Sequence, residues 1–462
     1  MKMPFQISKL DYWVYGISLG LCFLLFKQSD LTHTNSSSFA YLYGHFWDFY
    51  DYNESRMGDN NYLPIFYWFF AIWNIPLKLL GLIPEVSSET WMLATPIQTI
   101  WSKLLTTIFF FASVWLVGKI AEQICPSSNA NSINRMGLPP HLLFATSPIA
   151  IFAVFIFSGY DIFSVFFTLL GLHAYFAKDF RRFVLWFSVA LSFKYFAAFI
   201  YLPLVLMIEK RIFYLLAYGL LGILITVLQF ALYWHSDVFI GEIFGLVTAK
   251  TAGNGIKLRL IIANGVYLAM CAYLYFSKLD IHAHVEKWYQ RTIFSCVMAY
   301  ALLFSWVLWH PQWILLITPF ICLSYLFIRN QKAMLCIEIT GYLGFAIYCM
   351  NNWVGNVDNT MIYGGVFGGL LPQMHTLASD VIGHRWMALS RTLFYALLYA
   401  PVLMMIWERI APMVARMRNG GIAPKLGFCA IGLGSERTLF NIRFLVATYF
   451  YILVTAVCLY RG

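Results

Sequence analysis

Apolar runs long enough to cross a bilayer, about 17 to 25 residues each, recur from one end of this chain to the other with only short polar joints between them. No stretch is left over for a soluble domain of any size, so residues 1–462 read as a single integral membrane domain. Composition agrees: 61% of the residues are hydrophobic and 11% charged, far below the roughly 25% charged content of soluble domains. The net charge of +10 does not point to nucleic acid, because the 31 Lys and Arg residues fall in short clusters between apolar runs rather than along one face. Most of the nine cysteines, among them Cys22, Cys271, Cys296, Cys322, Cys336, Cys349 and Cys458, sit inside apolar runs with no Cys-x-x-Cys pair. That pattern supplies neither a metal site nor a disulfide framework. No small-residue cleavage site follows the first apolar stretch, which reads as an uncleaved helix.

Spans are expected near 12–27, 98–120, 141–158, 160–177, 212–234, 259–277, 292–309, 313–328, 333–349, 388–408 and 444–459. With the N-terminus cytoplasmic, the inside joints collect Lys178, Arg181, Arg182, Lys210, Arg211, Lys278, Lys287, Arg291, Arg329, Lys332, Arg409, Arg416, Arg418, Lys425, Arg437 and Arg443, the imbalance that the positive-inside rule demands. Two segments do not fit as simple crossings. Residues 183–208 join two basic clusters, so they are expected to form a re-entrant hairpin with Lys194 at its turn, remote from the outer face. Residues 62–82, interrupted by Pro64, Asn74 and Pro76, read as a helix lying in or dipping into the outer leaflet.

This topology puts a loop of residues 28–97 outside, and within it the stretch GHFWDFYDYNESRMGDNNYLPIFYW, residues 44–68, holds Asp48, Asp51, Glu54 and Asp59. Asp48 and Asp51 stand among Phe46, Trp47, Phe49, Tyr50 and Tyr52, an aromatic setting in which partial desolvation makes a carboxylate a better base. Aromatic faces also pack well against sugar rings. Two Asn-x-Ser sites, at Asn35 and Asn53, lie in the same loop.

The first span, the acidic aromatic loop and the element NYLPIFYWFF with Tyr62 and Pro64 together resemble the C-type (GT-C) glycosyltransferases that use polyprenyl-phosphate sugars. Residues 158–206, from SGYD through SFKYFAAF to LPLVL, are similar to a segment of polyprenol-dependent mannosyltransferases and of the catalytic subunit of GPI mannosyltransferase. WSKLLTTIFFFASVWLVGKI resembles their second span, and SWVLWHPQWILLITPF their late motif. The likeness covers residues 10–330; in one departure, Leu63 stands where the family often has the first Pro of Tyr-Pro-Pro.

The resemblance implies an all-α polytopic membrane protein, a GT-C-like bundle of about eleven transmembrane helices with a re-entrant hairpin, a helical first external loop and additional C-terminal helices over 331–462. It implies an inverting transfer of a hexose, mannose by likeness to those relatives, from a polyprenyl-phosphate donor to a glycan or glycolipid acceptor at a non-cytoplasmic face, in a bacterial inner membrane or alternatively the ER. Asp48 or Asp51 is the expected base. The departing phosphate directs attention to His310 with Gln312, to Lys250, Lys257 and Arg259, and to His384 with Arg385. Tyr62, Asp161, Trp47 and Tyr50 are expected to line the acceptor cavity. No cofactor is expected beyond the lipid-linked donor, nor a divalent metal, which would need a His or a third carboxylate converging on the acidic pair, a convergence that a sequence does not show. The rival reading is a transporter or flippase of lipid-linked sugars, against which stands the lack of an internal repeat. A single-cysteine tag placed within residues 44–68 is expected to react with a membrane-impermeant reagent from the non-cytoplasmic side only; reaction from the cytoplasm refutes the topology.

Overall fold

Charge sorting organises the bundle. The computed structural model describes residues 7–58, 60–87, 90, 94–125, 138–251, 257–353, 357, 361, 365–367, 370, 383–417 and 435–461, and among them every regular element is helical. Six helices are long and apolar enough to cross a membrane: α6 (Pro96–Ile124), α12 (Ile212–Tyr233), α14 (Lys257–Phe276), α17 (Gln331–Asn352), α18 (Met387–Met417) and α19 (Glu436–Arg461). The pair α1 (Lys9–Leu25) and α2 (Ser29–Ser37), which continues into α3 (Phe39–Leu42), makes a seventh if taken as one crossing, bent by 69°.

The other expected crossings are shorter or broken, for local reasons. The run 141–158 is divided into α7 (Pro140–Ala145), α8 (Pro148–Ile151) and a π-helical turn, Phe152–Ile156. Pro148 has no N–H with which to continue α7, so the chain restarts there. α9 (Ile162–Phe176) has 15 residues, and α15 (Val285–Leu303) carries Glu286, Lys287 and Arg291 in its first turns. The run 311–327 is a 3₁₀ segment, Pro311–Ile317, followed by α16 (Thr318–Ser324) and a second 3₁₀ turn.

The hairpin expected over 183–208 is present as α10 (Phe180–Phe193), a break at Lys194 and α11 (Ala198–Ile208). Tyr201 packs on Phe183 and Phe187, so α11 folds back along α10. Gly171 makes room on α9 for the α10 limb: a Cβ there would stand 2.5 Å from the Phe187 ring. The remaining helices are α4 (Phe49–Met57), α5 (Pro64–Leu79) and α13 (Asp237–Thr251). α5 lies against α2 and α3 at the bundle's head, its Trp73 and Trp101 of α6 stacked at 4.6 Å and exchanging indole-to-carbonyl hydrogen bonds. α12 turns Phe213, Leu216, Leu220 and Leu224 outward, as a lipid-facing helix does.

The basic joints meet at one end of this bundle. Lys178 contacts His282, Lys210 donates to the Leu274 carbonyl, Arg329 pairs with Glu408, and Arg437 pairs with Asp11. Beside Lys210, hydrogen bonding from Arg211 holds the Glu209 carboxyl down at about 2, so that pair stays ionised. Just inside the same end, fully buried Arg443 of α19 donates from Nε to Glu338 of α17 at 2.6 Å and also reaches the Thr146 hydroxyl and the Leu143 carbonyl. Tyr325 completes the set by donating to Glu338 at 2.5 Å. One network therefore joins α7, the end of the 311–327 run, α17 and α19. Arg443→Leu strands the Glu338 charge and is expected to cost about 3–5 kcal/mol, while Arg443→Met combined with Glu338→Leu recovers most of it; thermal unfolding in detergent distinguishes the two.

Candidate functional site

At the opposite end, three charged side chains from distant parts of the sequence share one recess. Asp161 stands just before α9 and Lys194 at the hairpin tip; their Oδ1 and Nζ atoms are 2.8 Å apart, with the two side chains only 2% and 4% exposed. Sequence reasoning left Lys194 remote from the outer face. Because α9 and α10 pack antiparallel from the Lys178 turn, the hairpin instead climbs the full height of α9 and delivers Lys194 to Asp161. Asp30, in the first turn of α2, lies within electrostatic reach of Lys194, Asp161 and His33, and its carboxyl is in hydrogen-bonding reach of Tyr160.

Aromatic rings wall the recess. Lys194 Nζ lies 4.5 Å from the Trp313 ring centre and 5.0 Å from that of Tyr62, and the Tyr62 hydroxyl is within electrostatic reach of both Asp30 and Asp161. Tyr160 stands edge-on to Tyr62 at 5.2 Å and shares a 2.8 Å hydrogen bond with Thr34 of α2. His310 sits beside Trp313 and Trp353, with ring centres 5.0 and 4.7 Å away. Such rings stabilise a desolvated ammonium through cation–π attraction. Beyond their mutual ion pair, Lys194 Nζ and Asp161 Oδ1 have no hydrogen-bond partner among the described residues, and neither has the buried Gln312 Oε1. Buried polar atoms in that condition are ready to receive a polar ligand group.

Local chain geometry explains how the parts are held. Two residues past the π-turn stands Ser158, whose φ of 64° is a left-handed conformation that costs a non-glycine residue about 1–2 kcal/mol. Gly159 follows, where a Cβ would stand 2.7 Å from the Gln312 Cβ, so only glycine lets the 3₁₀ segment press this close. These two residues turn Tyr160 and Asp161 into the recess. Lys103, buried within α6, donates to the carbonyls of Phe26 at 2.5 Å and Phe155 at 3.0 Å, while the Gln28 N–H donates to the Phe157 carbonyl. The end of α1 is thereby fastened to the π-turn, which sets Asp30 opposite Asp161.

The sequence candidates divide. Tyr62, Asp161, Gln312 and His310 belong to the recess or its rim. Asp48 and Asp51 do not: α4 turns Phe49, Tyr50 and Tyr52 inward, leaving both carboxylates exposed, with Asp48 bonded to His45 at 2.9 Å. The 3.6-residue period that buries the rings of α4 points the acids between them at solvent. Trp47 is 63% exposed, whereas Tyr50 is buried and donates to the Tyr62 carbonyl at 2.7 Å. Arg259 lines a separate cleft with Arg391. The side chains of Lys250, Lys257 and His384, and Asp59, lie outside the described residues. Asn35 and Asn53 are buried, so neither glycosylation signal is open in the folded chain. Asp30, Lys103 and Arg391 were missed. For Asp30 the available signal was its place at the head of SDLTHTNSSS, a polar run directly after an apolar span; for Lys103 it was a lone cation within the 98–120 run.

No family model matches the chain, and neither a curated protein nor a solved structure matches it. The recess itself can be probed. In a double-mutant cycle, Asp161→Asn and Lys194→Met are each expected to lower the unfolding temperature, with a coupling energy of about 0.5–3 kcal/mol, whereas Asp48→Asn shifts it little; strictly additive effects of the first two would show that they do not interact.

Proposed function

We propose that the protein is an inverting glycosyltransferase that moves a hexose from a polyprenyl-phosphate donor to a hydroxyl of a glycan or glycolipid. The observation that carries the reading is the recess itself: a partly buried carboxylate, Asp30, beside the desolvated Asp161–Lys194 pair and under aromatic rings, at the end of the bundle away from the basic joints. The described helices are compatible with a GT-C-like bundle in which the short and broken segments complete about eleven crossings. With the basic end cytoplasmic, the recess opens on the other side of the membrane, a bacterial inner membrane by the character of the sequence, and mannose is the sugar suggested by the motif likeness.

In this reading Asp30, rather than the exposed Asp48 or Asp51, accepts the proton of the acceptor hydroxyl. The acceptor oxygen forms its bond to the anomeric carbon as the bond from that carbon to the donor phosphate oxygen breaks. Polyprenyl phosphate leaves with the electron pair, already an anion and in no need of a strong acid. Lys194 keeps Asp30 and Asp161 from repelling one another, and Tyr62, Tyr160 and Trp313 supply faces on which a pyranose ring can rest.

Membranes containing the protein and radiolabelled polyprenyl-phosphate sugars provide the test. Asp30→Asn is expected to reduce transfer by at least about 100-fold, while the Asp48→Asn/Asp51→Asn double variant retains it. Undiminished transfer in Asp30→Asn overturns the assignment, and lipid translocation with no transfer in the unaltered protein favours a flippase.

A further inference from the structure

The recess brings together two carboxylic side chains, Asp30 and Asp161, and a single amine, Lys194. A cleft of about 430 Å³ elsewhere has the opposite character: it lies between α14, α15 and α18 and is lined by Arg259, Ile262, Ala263, Leu302, Ser305, Arg391, Tyr395 and Tyr399.

Its two arginines converge. Arg259 is in the first turn of α14 and Arg391 in the second turn of α18, yet both charges act on the hydroxyls of the same two residues, Tyr348 and Tyr395. Among the described residues neither guanidinium forms an ion pair. Two neighbouring cations repel, and among the described residues that line the cleft no carboxylate relieves that repulsion. Their position sharpens the point, because most of the other cations gather at the far end of the bundle. Ile262, Ala263 and Leu302 give the wall an apolar stretch that runs into outward-facing surface, where Leu258, Ile261 and Ile262 are 68%, 67% and 58% exposed. Tyr399 is tied to Ser305 by a hydrogen bond, so these two hydroxyls of the wall are paired with each other.

We propose that this cleft binds the phosphate of a membrane lipid, the guanidinium groups of Arg259 and Arg391 holding the phosphate oxygens while the lipid's hydrocarbon chain lies along α14. Arginine's planar array of donors suits a phosphate and is less strongly hydrated than an ammonium. The apolar wall and its continuity with the lipid-facing side of α14 select a lipid over a soluble anion, since a buried methylene contributes about 0.8 kcal/mol to such an association. The inference concerns binding alone and stands whether or not the protein transfers a sugar.

Binding is read by native mass spectrometry of the full-length protein in detergent, with a short-chain polyprenyl monophosphate, phosphatidylglycerol, phosphatidylcholine or inorganic phosphate supplied separately and no acceptor present. The monophosphate lipid is expected to be retained, and Arg259→Gln/Arg391→Gln to weaken its retention at least tenfold with an unchanged unfolding temperature. Arg259→Lys/Arg391→Lys, which keeps the charge and loses the planar donors, is expected to fall between. Equal retention by the native protein and the Gln variant overturns the proposal, as does complete displacement of the lipid by millimolar inorganic phosphate, which assigns the cleft to a soluble anion. Because transfer is never measured, failure here leaves the transferase reading standing, and failure of that reading leaves this one intact.

Discussion

An ion brought out of water has to be answered by another, and the Asp161–Lys194 contact is where this protein meets that requirement most severely. Removing either charge from solvent costs several kcal/mol even after relaxation, and one hydrogen-bonded partner repays only part of it. The surroundings must contribute the rest. Trp313 and Tyr62 offer their ring faces to the ammonium, and Asp30 brings a second carboxylate into its field. Much of the architecture at this end follows from holding those groups in place: the hairpin lifts Lys194, the π-turn and Ser158 aim Asp161, and the Lys103 clamp fixes the beginning of α2. A hydrophobic bundle of this size could fold without any of these devices.

The two ends of the bundle use charge differently. At the basic end the Arg443–Glu338 network is saturated: hydroxyls and carbonyls satisfy what the ion pair leaves over. It knits helices together and offers nothing to a ligand. At the other end, polar atoms of Lys194, Asp161 and Gln312 lack hydrogen bonds among the described residues. That contrast distinguishes the two ion pairs better than burial does, since both are similarly hidden.

Periodicity and charge distribution made the membrane class, the basic end, the hairpin and the helical nature of residues 28–79 readable from the sequence. Hydrophobic length alone could not distinguish a continuous helix from α7, α8 and a π-turn laid end to end, so among the described residues six or seven of the expected crossings stand as long apolar helices. The recess was harder. Asp48 and Asp51 drew attention because aromatic residues flank them in the chain, but on a helix adjacent residues point in different directions, and the rings went inward without the acids. Asp30 has no such neighbours in sequence; its aromatic partners, Tyr62 and Tyr160, arrive from α5's approach and from the turn before α9. Lys194 was placed at the correct turn and the wrong depth, because a hairpin's reach depends on what its tip finds to pair with.

That pairing bears on how the chain is assembled as it emerges from the ribosome. A hairpin with an ammonium at its tip and nothing to neutralise it cannot settle into hydrocarbon by itself. Asp161 precedes Lys194 along the chain, so its carboxylate is synthesised before the cation that needs it. Synthesis in this order makes the neutralising carboxylate available before the hairpin tip that pairs with it.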